Sequence, residues 1–148
     1  MQVKDLMPKK QAPITIMSEQ SFQDGMKLMA DHHIGSLVVV DQSKSPIGII
    51  TERDIFRLAH EHSSDIRSYK IGDYMTRDLI IGLPDDDIEY IANVITQKRI
   101  RHIPIMDENK KLCGILSIGD ILKSKLEQAE IDTRYLREYI QGMPTNRQ

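Results

Sequence analysis

The chain has 148 residues, of which 40% are hydrophobic and 28% charged, so it can bury the core of one compact domain or of two paired half-domains. Its net charge of −2 leaves no basic excess to attract nucleic acid, and its single cysteine excludes an internal disulfide and a cysteine-based zinc site. No apolar run is long enough to span a bilayer or to act as a secretory signal, and we therefore expect a soluble cytoplasmic protein.

The first half of the chain predicts five elements in the order β-α-β-β-α. A β-prone stretch at residues 14–17 precedes a helix whose apolar residues recur at helical spacing from Phe22 onward. Branched residues at positions 37–40 predict a buried strand, and a polar turn separates it from a second strand at positions 47–50. A second helix is predicted to begin near Glu52.

The second half repeats this order at a shift of 66 residues. Its predicted elements are a β-prone stretch at 79–83, a helix from Ile88, strands at 103–106 and 112–116, and a helix that begins near Ile118. Such self-similarity indicates a duplicated structural unit. Among the identical pairs at this shift are Ile34 and Ile100, Asp41 and Asp107, Lys44 and Lys110, Gly48 and Gly114, Ile49 and Ile115, Asp54 and Asp120, and Ile55 and Ile121.

We therefore predict an α/β (α+β) fold in which two tandem β-α-β-β-α repeats pack through their sheets. A sheet of two or three strands is marginal alone, whereas two copies can cover each other's apolar faces. The first repeat would occupy residues 1–62 and the second residues 71–126, with the polar residues 63–70 as the linker. A polar loop at residues 8–13 absorbs a two-residue offset between the halves.

Residues 127–148 are predicted to form a C-terminal helix and tail. Gly142 and Pro144 mark the predicted end of this helix. A helix that projects from a small module would offer a surface for dimerisation or for docking a partner. The apolar residues spaced along this segment are Leu126, Ala129, Tyr135, Leu136, Tyr139 and Ile140.

A Thr-x-x-Asp or Ser-x-x-Asp motif stands at the start of the last helix of each repeat. Thr51 with Asp54, and Ser117 with Asp120, have the spacing of a capping box, in which hydroxyl and carboxylate bond to backbone N–H groups of the first turn. Both copies use Asp, whose short carboxylate can also accept the two hydroxyl protons of a ribose. The two roles can coexist, and we expect ligand binding for at least one copy.

The two halves resemble CBS domains, the cystathionine-β-synthase-type repeats that pair into a Bateman module. The resemblance is carried by GIITERD at residues 48–54, GILSIGD at 114–120, IRHIPIMD at 100–107, and the openings DLM at 5–7 and DYMT at 73–76. The chain looks most like the stand-alone prokaryotic proteins that consist of two CBS domains with no attached enzyme. Two such motifs in register are far more specific than one.

The resemblance implies a non-catalytic regulatory sensor with an adenine nucleotide in the cleft between the repeats. AMP or ATP is the expected ligand, and ADP, NAD and S-adenosylmethionine remain alternatives. The implied ribose ligands are Asp54 and Asp120, assisted by Thr51 and Ser117. The implied phosphate ligands are Arg101 and His102, and the implied adenine slots are formed by Leu79 and Ile80 opposite Asp54, Ala12 and Ile14 opposite Asp120, and Ile49 and Ile115 as walls, residues that plain core packing would also explain.

The two sites are expected to be unequal. Arg101 and His102 precede a strand in the second repeat, whereas the corresponding positions of the first repeat are Gly35 and Ser36. We therefore expect the site that uses Asp120 to be the better equipped for phosphate.

Motifs of catalysis are missing from the sequence. It contains no phosphate-binding P-loop, no nucleophile elbow and no dinucleotide-binding glycine turn, and His60 and His62 lie two apart rather than the four that a zinc-protease helix requires. The acidic run at residues 85–87 is expected to complement a helix N-terminus rather than to bind a cation. We expect no catalytic residue, no metal and no cofactor.

The expected partners are an adenine nucleotide, a second copy of the chain and a regulated protein, with neither nucleic acid nor membrane. A two-fold pairing through helices would make a flat disc of four repeats, in parallel or antiparallel arrangement. Two rival functions stay open. One is a protein-interaction scaffold with vestigial ligand sites, and the other is a small hydrolase.

Overall fold

The structure of the protein is a computed structural model that describes residues 1–7 and 12–142. Most of the predicted loop at 8–13 and the predicted helix end at Pro144 lie outside these residues. The elements, in chain order, are a 3₁₀ turn (Val3–Asp5), β1 (Thr15–Met17), α1 (Phe22–His32), β2 (Ser36–Val40), β3 (Pro46–Thr51), α2 (Glu52–Glu61), a 3₁₀ turn (Ile66–Ser68), α3 (Ile71–Tyr74), α4 (Ile88–Lys98), β4 (His102–Met106), β5 (Leu112–Ser117) and α5 (Ile118–Gly142).

The first repeat has the predicted β-α-β-β-α order. Its sheet has the strand order β1-β2-β3, with β1 parallel and β3 antiparallel to β2. Every residue of the central strand β2 is buried, which explains its unbroken run of apolar side chains after Ser36. The α/β fold class with two repeats is confirmed.

The second repeat departs from the prediction at residues 79–83, which form no strand. Only Gly82 pairs with the sheet, where its N–H donates to the carbonyl of Pro104 (2.9 Å) and its carbonyl accepts from Met106 (3.0 Å). The carbonyl of the next proline, Pro84, accepts instead from Lys4 N–H at 2.8 Å. Because the backbone beyond Gly82 bonds to the N-terminal segment, the sheet of this repeat keeps two strands, β4 and β5.

The leading segments of the two repeats are exchanged between the two hydrophobic cores. Val3, from the start of the chain, is fully buried in the core of the second repeat, and its N–H donates to the carbonyl of Asp86 at 2.9 Å. Ile71 and Met75, which lead into the second repeat, are buried in the core of the first. Each hydrophobic core therefore contains residues from both sequence repeats.

The predicted linker at residues 63–70 is packed rather than loose. Ile66 is buried in the first core, and the ring of Tyr69 stacks on that of Tyr74 with centroids 5.3 Å apart. This polar segment therefore continues the core of the first repeat up to α3.

The predicted C-terminal helix and the last helix of the second repeat form one continuous element, α5. Ile121 and Ser124 are buried against the second repeat. From Lys125 to Gly142 every side chain is exposed, so this part of α5 projects from the body of the protein. No helix in residues 1–7 and 12–142 combines the length and the apolar character that a membrane span requires.

Candidate functional site

Two cavities lie between the repeats, and each contains one of the aspartates of the repeated motif. The larger, which we call the Asp54 cavity, has a volume of about 580 Å³, and the smaller, the Asp120 cavity, about 410 Å³. Both volumes fall in the range of small-molecule sites. All the candidate residues predicted from the sequence line one or the other of them.

The Asp54 cavity is built from both repeats. The first repeat contributes Ile49 within β3, Thr51 at its end and Asp54 in the first turn of α2. The second repeat contributes Leu79 and Ile80. Leu79 and Ile80 are half-buried, so they offer an apolar surface that is still open to the cavity. The structure therefore brings together the residues that the resemblance implied opposite Asp54.

Asp54 caps α2 and faces the cavity at the same time. Its Oδ2 accepts from the N–H and the hydroxyl of Thr51, both at 3.0 Å, and the Thr51 hydroxyl accepts from Asp54 N–H at 3.2 Å. Its Oδ1 accepts from a guanidinium nitrogen of Arg57 at 3.1 Å. The Arg57 side chain is 61% exposed, so this ion pair is weakly held and can exchange for another partner of the carboxylate.

The arginines of the region converge on the Asp54 cavity. Arg53, Arg57, Arg99 and Arg101 line it, against the carboxylates of Glu52, Asp54 and Asp78. His60 and His102 lie on the same lining. A guanidinium cluster of this kind suits a ligand that carries phosphate or carboxylate groups.

The placement of Arg101 differs from the expectation that the Asp120 site would be the better equipped for phosphate. The Arg101 carbonyl accepts from Ile118 N–H at 2.9 Å within its own repeat, while the residue lines the cavity that holds the aspartate of the other repeat. The expectation was wrong because each cavity takes its aspartate from one repeat and its opposite side from the other. Sequence reasoning also missed Arg53, Arg57 and Arg99 as lining residues, although the first two lie within a helical turn of Asp54 in the motif.

The Asp120 cavity has the same plan with fewer cations. It is lined by Ala12 and Ile14 in the segment before β1, and by Ile115, Ser117 and Asp120 of the second repeat. The Asp120 Oδ2 accepts from the N–H and the hydroxyl of Ser117, both at 2.8 Å, which is the same cap as in the first repeat. Asp120 is half-buried and open to the cavity, so the cap does not seal it.

Histidines are the basic side chains that line the Asp120 cavity. His32, His33 and His102 line it, and the described part of its lining contains neither Lys nor Arg. The described lining of the Asp120 cavity therefore has none of the permanently charged guanidinium groups that line the Asp54 cavity. His102 and Gly35 line both cavities.

Groups that would indicate metal or thiol chemistry are not assembled in the described residues. No three His, Cys, Asp or Glu side chains within residues 1–7 and 12–142 converge in the manner of a metal site. Cys113 lines neither cavity, and burial, followed by the nearby Asp107 carboxylate, raises the pKa of its thiol. A raised pKa keeps the thiol protonated at neutral pH, where it is a poor nucleophile.

Comparison with known proteins identifies the family. The chain is 34% identical over 129 residues to a mitochondrial CBS domain-containing protein of Arabidopsis thaliana, a match that covers 84% of this chain and 62% of that protein. The chain thus spans less than two thirds of the length of this curated relative.

Solved structures show the same architecture. A CBS-domain protein of Agrobacterium tumefaciens superposes with a TM-score of 0.79 at 29% identity, covering 84% of this chain and 92% of that chain. A CBS domain pair in complex with 5′-methylthioadenosine and S-adenosyl-L-methionine superposes with a TM-score of 0.74, also at 29% identity, covering 88% and 98%. The model of the CBS-domain family matches residues 3–61 and 71–127, and the chain therefore belongs to the CBS-domain family, of which it carries two domains.

Proposed function

We propose that this protein is a non-catalytic regulatory sensor that binds an adenosyl ligand in the cavities between its two CBS domains. AMP or ATP is the first choice for the Asp54 cavity, ahead of ADP, NAD and S-adenosylmethionine. The observation that carries the proposal is the Asp54 cavity itself. It combines a capping aspartate, an apolar slot and four arginines from two different domains in one volume of about 580 Å³.

The ribose is assigned to the carboxylate of Asp54. Thr51 bonds to Oδ2, while Oδ1 accepts from the exposed guanidinium of Arg57. A ribose diol that approaches Oδ1 replaces an exposed ion pair with charge-assisted hydrogen bonds, which are the stronger kind. Asp120 and Ser117 take the same roles in the second cavity.

The adenine ring is assigned to the slot between Ile49 on one side and Leu79 and Ile80 on the other. All three side chains are half-buried, so a flat ring inserted between them removes apolar surface from water on both of its faces. In the Asp120 cavity the same slot is formed by Ala12, Ile14 and Ile115.

Phosphate groups are assigned to the arginines, with Arg101 and His102 as the contacts from the second domain. The excess of guanidinium groups over carboxylates favours an anionic ligand in the Asp54 cavity. The histidine-lined Asp120 cavity suits an adenosyl compound with less negative charge. The solved domain pair that holds 5′-methylthioadenosine and S-adenosyl-L-methionine supports a broad adenosyl preference in this architecture.

Regulation follows from the way the cavities are built. Because aspartate and slot belong to different domains, a ligand that bridges them favours one arrangement of the two domains over others. A regulated protein that contacts both domains can read this arrangement. The protein acts in this proposal as a cytoplasmic switch rather than as an enzyme.

The proposal is tested by calorimetric titration and thermal melting with AMP, ATP, S-adenosylmethionine and guanosine monophosphate as a base control. A ligand at one hundred times its Kd should stabilise the folded state by about 2.7 kcal/mol. Asp54→Asn, which keeps the size of the side chain but loses its charge, should weaken AMP binding at least tenfold at the larger cavity. Asp120→Asn is the matched control and should leave that site intact.

Three outcomes would overturn the proposal in different ways. If no adenine compound shifts the melting of the wild type, the scaffold with vestigial sites becomes the better reading. If both aspartate variants bind like the wild type, the ligand lies elsewhere. If the protein turns over a nucleotide and one substitution abolishes the turnover, the hydrolase is correct.

A further inference from the structure

Apart from the Lys125–Glu89 ion pair, the projecting part of α5 is exposed and unpacked within the described residues. It runs from Lys125 to Gly142 with every side chain exposed, roughly 27 Å at 1.5 Å per residue. A helix of this length without tertiary contacts is only marginally stable in water, because most helices are stabilised by burial of an apolar face. We therefore expect another apolar surface to bury one face of this segment.

One face of α5 carries apolar residues at the spacing of a coiled coil. The steps between successive members alternate between four and three residues, which is the a/d pattern of a heptad repeat. The face lies away from Ile121 and Ser124, through which α5 contacts the body. This face, which we call the seam, consists of Leu122, Leu126, Ala129, Thr133, Leu136 and Ile140.

The seam is apolar and accessible along its whole length. The exposed fractions of Leu122, Leu126, Leu136 and Ile140 are 54%, 65%, 57% and 65%. Thr133, its one polar member, donates its hydroxyl to the carbonyl of Ala129 at 2.8 Å and therefore needs no partner across an interface.

The opposite side of α5 also carries apolar side chains, but without the heptad pattern. Ile131, Tyr135 and Tyr139 are 58%, 67% and 57% exposed. The positions that would extend them at heptad spacing are Gln128 and Glu138. Polar residues therefore interrupt this side within one heptad in both directions, whereas the seam is continuous.

Charges beside the seam select a second copy of the same helix in parallel orientation. In a parallel pair, Lys125 faces Glu130 of the partner subunit, and Asp132 faces Arg137 of the partner subunit, so both contacts join opposite charges. In the antiparallel alignment Glu130 faces Glu130 of the partner subunit and Asp132 faces Asp132 of the partner subunit. Like charges in direct opposition disfavour that arrangement.

We propose that two copies of this chain associate through the seam as a parallel two-stranded coiled coil. Lys125 also pairs with Glu89 of its own subunit at 2.9 Å, an exposed contact that leaves the ammonium group accessible to a second carboxylate. The parallel pairing places both CBS modules at the same end of the coiled coil. This proposal is independent of ligand binding and stands or falls separately.

The oligomeric state of the full chain tests the proposal first. Sedimentation equilibrium should give twice the chain mass of 17.0 kDa for the wild type. The double variant Leu126→Glu with Leu136→Glu should give the monomer mass, while the matched control Ile131→Glu, on the opposite side of the helix, should remain dimeric. Circular dichroism and the melting of the CBS module verify that the variants are folded.

A cross-linking experiment tests the orientation. Leu136→Cys in a Cys113→Ala background should form an intermolecular disulfide, because in a parallel coiled coil position 136 faces position 136 of the partner subunit. In the antiparallel alignment the two positions lie about 15 Å apart. Tyr135→Cys, on the outer side of the helix, is the control and should form little disulfide.

A charge-exchange series provides the last arm. Asp132→Arg and Arg137→Asp should each shift the equilibrium towards monomer by tenfold or more, and the double variant should restore the dimer. A monomeric wild type, a dimer unaffected by the two glutamates on the seam, or equal cross-linking of both cysteine variants would overturn the proposal.

Discussion

A single carboxylate can cap a helix and still present itself to a cavity. Asp54 and Asp120 each accept two hydrogen bonds from the hydroxyl residue three positions earlier, and each lines a cavity. The capping bonds converge on Oδ2 in both copies. Capping therefore orients the carboxylate, so the structural and the proposed functional roles are complementary.

The proposed phosphate contact predicts a selective effect of Arg101→Ala. Loss of one charge-assisted hydrogen bond is worth about 1.5–3 kcal/mol, so AMP affinity should fall by roughly tenfold to a hundredfold. Adenosine, which has no phosphate, should bind as it does to the wild type. Titration calorimetry with both ligands makes the comparison.

Lys98→Ala is the matched control for Arg101→Ala, because Lys98 is a nearby exposed cation that does not line the cavity. It should leave both affinities unchanged. An equal loss of AMP and adenosine binding in Arg101→Ala would show that the residue shapes the cavity rather than holds phosphate.

The sequence predicted which residues line the candidate site better than it predicted which of them share a cavity. Thr51, Asp54 and their counterparts were identified from a repeated motif, and the position of Leu79 opposite Asp54 followed from the family resemblance. Arg101 was assigned to the wrong cavity because a shift along the chain relates equivalent positions but contains no information on which positions meet in space. Sequence reasoning also missed Arg99, which lines the Asp54 cavity.

At the scale of elements, close backbone approach positions the leading segment of the second repeat against β3. Ile49 exchanges two backbone hydrogen bonds with Thr76, at 3.0 and 2.9 Å. Gly48 lies beneath Met75, and a Cβ at this position would meet Met75 Sδ at 2.5 Å and the carbonyl of Thr76 at 3.0 Å. Glycine is therefore required at position 48, because a Cβ there would clash with the Met75 side chain and would approach the Thr76 carbonyl too closely.

Gly48→Ala should therefore destabilise the protein by about 1–3 kcal/mol, the usual range for overpacking. Urea denaturation monitored by circular dichroism measures the change. Gly119→Ala is the matched control, because a Cβ there would meet only the Ser117 hydroxyl at 3.6 Å. It should be neutral or stabilising by up to about 1 kcal/mol, since alanine is the better helix former.

The exchange of leading segments between the two hydrophobic cores could not be predicted from the sequence. Val3 and Ile71 are apolar residues, which indicates burial but not the core in which each is buried. The strand expected at 79–83 is reduced to a single bridge at Gly82, and two residues later the carbonyl of Pro84 bonds to Lys4 near the start of the chain. Local patterns predicted the elements that depend on local contacts.

At the scale of the whole molecule, the exchanged segments make each core depend on residues from both halves of the sequence. The first core contains Ile66, Ile71 and Met75 in addition to residues of the first repeat. A fragment cut at the boundary of the sequence repeat lacks these side chains, which leaves a cavity in the core.

Two fragments of similar length test this dependence. Residues 1–62 alone should show little cooperative unfolding, because the core is incomplete. Residues 12–76, which retain Ile66, Ile71 and Met75 but omit the segment that belongs to the other core, should show more native-like circular dichroism and a sharper melting transition. Equal folding of the two fragments would contradict the exchange.

His102 and Gly35 stand between the two cavities and border both. Under the proposed function, a ligand that contacts either residue in one cavity would also alter the lining of the other. Thermodynamic linkage makes such coupling reciprocal. If the first ligand changes the affinity for the second by a given factor, the second changes the affinity for the first by the same factor. Coupling through these shared residues would make the proposed sensor respond to its two ligand concentrations together.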